Sequence, residues 1–258
     1  MKKIIIKILK RIIRLIEPTP KINIEEDLGY TEVFGRDFYY HYKPAFDITF
    51  EELFKKGIYT FTTSNTSPVI IDCGANMGLS LLFFSINYPS AKIYAFEPDV
   101  SVLESLEKNI KTYQMDNVEL IKKAVWNKNE TLEFFTDKGM GGRLKCDYHD
   151  QISTKVEAIR LKEFISDKHI DLLKMDIEGA EYTVIEDCEP VLNQIDNIFI
   201  EYHSMVNEEQ KLDELLLILK RNGFRYHLSQ SFSRNKPFID KELVNEKIDL
   251  AINIYGYK

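Results

Sequence analysis

Cysteine is scarce in this 258-residue sequence. The three present, Cys73, Cys146 and Cys188, are odd in number and widely spaced. Neither a disulfide framework nor a cysteine-built zinc site is expected, and a cytoplasmic, reducing compartment fits. Positive charge is in deficit as well: 34 Lys and Arg stand against 41 Asp and Glu, giving a net charge of −7 and an isoelectric point near 5.4. A general nucleic-acid binder needs the opposite balance, so no nucleic acid is expected as a partner, and a small molecule or a glycan is the expected acceptor. The opening segment MKKIIIKILKRIIRLIEP is too short in uninterrupted apolar residues for a membrane span, which needs about 20. It also lacks the h-region and small-residue cleavage site of a signal peptide. Finally, the dinucleotide fingerprint G-x-G-x-x-G is missing, which argues against NAD.

What is present is organised around residues 69–80, VIIDCGANMGLS. Val69, Ile70 and Ile71 read as a buried parallel strand, because no polar residue interrupts them and β-branched side chains suit a pleat. Asp72 closes the strand. Gly74 and Gly78 remove the Cβ atoms that would keep a ligand off the backbone, and LSLLFFSI has the length of a helix. A strand, a glycine turn and a helix N-terminus make a site for a nucleotide-like group. The spacing Asp72-x-Gly74-x-Asn76-x-Gly78 resembles the first motif of S-adenosylmethionine (SAM) dependent methyltransferases.

Residues 1–18 form a basic amphipathic helix pattern that stops at Pro18. Lys3, Lys7, Lys10, Arg11 and Arg14 share one arc while Ile and Leu fill the rest. Such a segment, over residues 1–17, either lies peripherally on the inner face of an anionic membrane or packs on protein. Residues 19–66 read as a hairpin, a short helix in ITFEELFKKG and a strand-like IYTFTT that cover one end of the sheet, with Tyr59 a candidate for the cofactor pocket. Residues 67–258 make up the main domain. In it, AKIYAFEPD is a second strand ending at Glu97, which is placed to accept hydrogen bonds from ribose hydroxyls, followed by Pro98 and a helix capped by Asp99. NVELIKKAVWN reads as one third strand whose end, Ala124, Val125 and Trp126, borders the adenine. TLEFFTDKGMGGRLKCDYHDQISTKVEAIRL reads as a hairpin insertion with a glycine-rich tip at Gly139, Gly141 and Gly142. The strand ends KMDIEGAE and IEYH bring Lys174, Asp176, Glu201 and His203 together as either an ion-paired structural cluster or a reaction centre.

DCGANMG, AFEP, LLKMDIEGAE and IEYH, in this order and spacing, resemble the FkbM-type methyltransferases over about residues 57–258. The resemblance implies a Rossmann-like α/β fold with a mostly parallel seven-stranded sheet, its last strand antiparallel and helices on both faces. It implies that Asp72, Gly74, Asn76 and Gly78 hold the methionine end of SAM, with Ala75, Leu79 and Ser80 in the same turn. Glu97 with Pro98 would take the ribose, and Asp176 with Glu178 the region beside the transferable methyl. The activity it implies is O-methylation of sugars or natural products, here a hydroxyl of a cell-surface glycan or its precursor. Among the clustered groups His203 is the expected general base, since its ordinary pKa lies nearest neutral, with Asp176 next and Glu201 or Asp176 orienting it. No complete metal ligand set is visible and no metal ligand is assigned, a divalent metal held by acids such as Asp176 being left as a third alternative. A non-catalytic SAM-binding module and an NAD-linked sugar dehydrogenase are the competing readings, and the oligomeric state is left open.

Overall fold

Val69, Ile70 and Ile71 run through the middle of the main sheet, with Ile70 and Ile71 fully buried. A computed structural model describes residues 29–136, 142–144, 153–206, 208–233, 236–239 and 248–258. The basic segment 1–18 and Gly139 and Gly141 of the glycine-rich tip lie outside these. In chain order the elements are β1 (Gly29–Val33), β2 (Arg36–Tyr40), α1 (Lys43–Phe50) continuing into a π-helical stretch (Glu51–Lys56), β3 (Val69–Cys73) and α2 (Leu79–Asn87). There follow β4 (Lys92–Phe96), α3 (Val100–Thr112), β5 (Val118–Ile121), β6 (Ala124–Trp126), β7 (Glu130–Thr136), β8 (Gly142–Leu144), β9 (Ser153–Arg160) and α4 (Leu161–Ile165). The last are β10 (Ile170–Met175), α5 (Glu181–Cys188), β11 (Ile195–Met205), α6 (Leu212–Arg221), β12 (Arg225–Ser233) and β13 (Ile248–Tyr257).

Seven strands form one sheet in the order β12-β13-β11-β10-β3-β4-β5. Only the last strand in sequence, β13, runs against the others, pairing antiparallel with both β11 and β12. Alternation along the strands loads both faces. Ile70, Ile93, Leu172 and Phe199 enter one apolar layer with α2 and α3, while Ile71, Leu173, Met175 and Ile200 enter the other with α4, α5 and α6. Each such side chain contributes about 1.5–3 kcal/mol on full burial. The strand order reverses between β3 and β10, so the crevice at their carboxyl ends is where an open α/β sheet takes a ligand.

The N-terminal hairpin turns at Phe34 and Gly35, both at positive φ (50° and 78°), the geometry that two-residue hairpin loops prefer. Phe38, Phe46 and Leu53 pack with Leu82, Phe83 and Phe84 of α2. Buried Asn109 of α3 ties this unit to the glycine turn, its amide donating to Tyr39 O and Met77 O at 2.8 Å each. Helix α1 starts at Lys43, earlier than the pattern ITFEELFKKG predicts, because Pro44 fits a first helical turn whose N–H needs no partner.

Two segments depart from expectation. IYTFTT forms no strand: Thr60 N closes a turn on Gly57 O, and both backbone groups of Phe61 bond the Tyr88 hydroxyl. NVELIKKAVWN is two strands. Lys123 N bonds Ile121 O in a tight turn, and Ala124–Trp126 then leaves the main sheet to pair in parallel with β9 in a second sheet of order β6-β9-β7-β8. Among the described residues no helix is long and apolar enough to cross a membrane.

Candidate active site

Asp72 and Lys174 lie opposite one another in the register of β3 and β10, each next to the last residue of its strand. Lys174 Nζ stands 3.0 Å from Asp72 Oδ1 and donates to Gly74 O at 2.6 Å, and Ser80 Oγ donates to Asp72 Oδ2 at 2.5 Å. Burial alone would lower the Lys174 pKa, but Asp72 and Asp176 together raise it, while burial raises the Asp72 carboxyl against the pull of Lys174 and Ser80. Lys174 is thereby committed to holding the turn. The turn itself is fixed by Gly74 N and Ala75 N, which both donate to Phe96 O.

The reason for the glycines differs from the one expected. A Cβ on Gly74 (φ +86°) would lie 1.9 Å from the Asp176 carbonyl oxygen, and one on Gly78 (φ +88°) 2.7 Å from Leu106. They make room for the protein's own neighbouring strand tip and helix. The side chains of Ala75 and Leu79 are buried in the apolar layer, leaving only their backbone to face a ligand.

Glu97, at the end of β4, is buried and accepts from Asn76 N at 2.7 Å and from Asp99 N, beyond Pro98, at 2.9 Å. Burial pushes its carboxyl up to about 7 despite those two donors. A carboxylate held this way offers its remaining lone pairs to hydroxyls. Asn76 Oδ1 is buried without a hydrogen-bond partner among the described residues, an acceptor of the kind the ammonium of SAM requires. The turn and Glu97 therefore fit SAM.

Ala124, Val125 and Trp126 make up β6 and are buried in an apolar layer, with Trp126 Nε1 donating to Glu130 at 3.0 Å. Their placement as the tip of the third sheet strand is thus corrected, since they begin the second sheet. Tyr59 packs between Phe84 and Phe199, with ring centroids 5.8 and 4.7 Å away. Burial raises its hydroxyl pKa, and the charges of Asp176, Glu201 and Asp72 add to the rise.

The strand ends do bring the polar residues together. Asp176 Oδ2 is 3.9 Å from Lys174 Nζ. His203 Nε2 lies 3.7 Å from Glu178 and 4.0 Å from Glu201, and Nδ1 lies 3.0 Å from Glu181. Glu178 reaches this position at φ 57°, a conformation non-glycine residues seldom adopt and one that clusters at functional sites. Glu181 went unpredicted. It is fully buried at the start of α5, where it also accepts from Ile177 N and Gly179 N. An acid in the first turn of a helix, three residues past Glu178, was the signal that marked it.

Burial alone would lower the His203 pKa, but Glu178, Glu181 and Asp176 drive it well above the ordinary value. The carboxylates around the ring thus favour its protonated form, and a base or ligand role for Nε2 requires that proton to be given up. Burial, with Asp176 adding to it, pushes the Glu201 carboxyl up to about 7. Ligand atoms of Asp176, Glu178 and His203 all lie within 4.8 Å of one another.

The family model for the methyltransferase FkbM domain matches residues 72–226, more than half of the chain. A 2-O-methyltransferase, NoeI, of Sinorhizobium fredii is 28% identical over 52% of this chain and 63% of its own length. The methyltransferase sdnD of Sordaria araneosa is 27% identical over 53% and 66%, and methyltransferase 1 of Beauveria bassiana is 23% identical over 64% and 78%. The chain thus spans somewhat less than two thirds of two of these relatives. Among solved structures, a Pyrococcus horikoshii protein assigned as a transferase superposes over 91% of this chain and 73% of its own at a TM-score of 0.50 and 14% identity, a likeness of fold. A solved FkbM methyltransferase from Methylobacillus flagellatus aligns over 78% of this chain and 46% of its own, at 17% identity and a TM-score of 0.49.

Proposed function

The chain belongs to the FkbM methyltransferase family, and on that premise we propose that it moves a methyl group onto a hydroxyl oxygen of a sugar, in a cell-surface glycan or its precursor. It is a methyltransferase and its cofactor is SAM. When bound, SAM supplies a methyl group activated by its sulfonium leaving group. The work left to the protein is to hold the cofactor, align an acceptor hydroxyl in line with the methyl and provide for its proton.

Asp72, Asn76 and the backbone of the glycine turn would hold the methionine end, and Glu97 the ribose. The observation that carries the reading is the cluster of Asp176, Glu178, Glu201 and His203 at the tips of β10 and β11, next to that turn. Polar groups at the ends of buried strands cost several kcal/mol unless they pair or serve a reaction. Oxygen as the receiving atom is supported by the 28% identical relative named a 2-O-methyltransferase. The test is incubation with methyl-labelled SAM and sugar or glycan fractions, followed by mass spectrometry of the labelled product. An alkali-stable methyl ether on a sugar supports the reading; label on nitrogen or carboxyl groups alone contradicts it. The basic segment 1–17 would hold the enzyme at a membrane carrying a lipid-linked acceptor.

A further inference from the structure

We propose that Asp176, Glu178 and His203 bind one hard divalent cation, of the Mg2+ or Mn2+ class, which holds the acceptor oxygen beside the methyl donor; that placement rests on the transferase reading above. Oxygen and nitrogen ligands about 2.1 Å from an octahedral ion lie about 3.0 Å apart when adjacent and about 4.2 Å when opposite. The His203 Nε2 to Glu178 distance of 3.7 Å lies between those two values, and the full set lies within 4.8 Å, so closing on an ion takes side-chain shifts of up to about 1 Å.

The orientation of His203 is the second, independent observation. Its side chain is 5% exposed, Nδ1 is held by Glu181 at 3.0 Å, and Nε2 faces the cluster with no hydrogen-bond partner within 3.5 Å among the described residues. A carboxylate behind the far ring nitrogen is the usual support of a metal-bound histidine, since it fixes both ring orientation and tautomer. Glu181 in turn is locked by Gly179 N, so the support is itself rigid.

Charge points the same way. Asp176, Glu178, Glu181 and Glu201 crowd around one imidazole, while Lys174 is held by Asp72 and Gly74 O and stands 3.9 Å from Asp176. The other histidine and acid group, His169, Asp171 and Asp196, differs in the way that matters. There the Asp171 carboxylate already accepts from Thr63, Asn65 and Val69 N, which leaves it saturated.

Two carboxylates and one imidazole suit a hard cation and leave about three octahedral positions for water or acceptor oxygens. An acceptor hydroxyl held by the cation loses its proton to solvent more readily. Its oxygen then forms the bond to the methyl carbon as the S–CH3 bond breaks, with that electron pair staying on sulfur. Two neighbouring hydroxyls of a sugar would fit such a cation together, which points to a vicinal diol as the acceptor.

The test uses Mn2+ alone, added to the full chain without SAM, and reads uptake by calorimetry and the bound ion by pulsed electron spin resonance. The expected result is one Mn2+ per chain showing coupling to an imidazole nitrogen. Asp176→Asn and His203→Gln should each weaken uptake at least about tenfold while keeping the native circular dichroism. If a variant does not fold, the wild-type spectrum decides: no uptake at millimolar Mn2+, or bound Mn2+ without nitrogen coupling, overturns the site. Methyl transfer unimpaired by exhaustive chelation overturns the cation's role and leaves the transferase reading standing. Nitrogen-coupled Mn2+ in a chain that methylates no acceptor supports the site and counts against that reading alone.

Discussion

Lys174 Nζ sits 3.0 Å from Asp72 Oδ1, with the two side chains 3% and 0% exposed, across adjacent strands of the sheet. This pair connects the fold to the site, because Lys174 also donates to Gly74 O and so sets the turn that receives the cofactor. Lys174→Met leaves the Asp72 charge buried and unmatched, and should cost about 3–5 kcal/mol of stability. Urea unfolding followed by circular dichroism measures this, and a loss below about 1 kcal/mol would contradict the assigned role.

Glu97 gives a pH dependence whose sign is determined. Its folded carboxyl pKa is about 7, above the ordinary 4.5, so between those values the native state holds a proton that the unfolded chain releases. The stability from this group is fully present below about pH 4.5 and is lost as pH rises through about 7. About 2.5 pH units at about 1.36 kcal/mol each give a difference of about 3 kcal/mol, absent in Glu97→Gln. Ribose hydroxyls donate to the charged form, so SAM affinity should rise between about pH 5 and 7 in the wild type and stay flat in the variant. Calorimetry in buffers of different ionisation heat reads the released proton.

Gly74 and Gly35 separate close approach from backbone conformation. Both have positive φ, but a Cβ on Gly74 would lie 1.9 Å from the Asp176 carbonyl oxygen, whereas among the described residues nothing lies within 4 Å of one on Gly35. Gly35→Ala should cost about 1–2 kcal/mol, the ordinary penalty of a left-handed residue. Gly74→Ala should cost clearly more and abolish SAM binding, and equal thermal shifts in the two variants would contradict the geometry.

The basic segment is tested with vesicles. Each Lys or Arg near an anionic surface contributes about 1 kcal/mol, screened by salt. The full chain should sediment with anionic vesicles, less so at high salt, and a chain beginning at Pro20 should stay in the supernatant with methyl transfer intact. Equal sedimentation of both would place this segment's role in protein packing.

Much of the site could be read from the sequence because its residues end apolar strands. Asp72, Glu97, Asp176 and Glu201 each follow a run too hydrophobic to end in a charge by chance, and the period of two placed Glu201 and His203 together. The break at Lys122–Lys123 was not legible, since β-branched and aromatic residues on either side read as one strand and only tertiary pairing with β9 divides them. IYTFTT failed for a related reason: its composition suits a strand, but its backbone groups are taken by a turn and by Tyr88. Glu181 was missed because a helical first turn normally faces water. Here the adjoining strand tip places His203 against it, and Glu181, after Glu178, raises the imidazole's pKa.

The most direct test is a crystal structure of the chain with S-adenosylhomocysteine, read for the positions of the ribose and the sulfur. The account predicts both ribose hydroxyls within hydrogen-bond distance of Glu97 and the sulfur facing Asp176 and Glu178. A nucleotide seated at the opposite end of the strands, in the cavity lined by Ile58, Phe61, Asn197 and Tyr255, would contradict it.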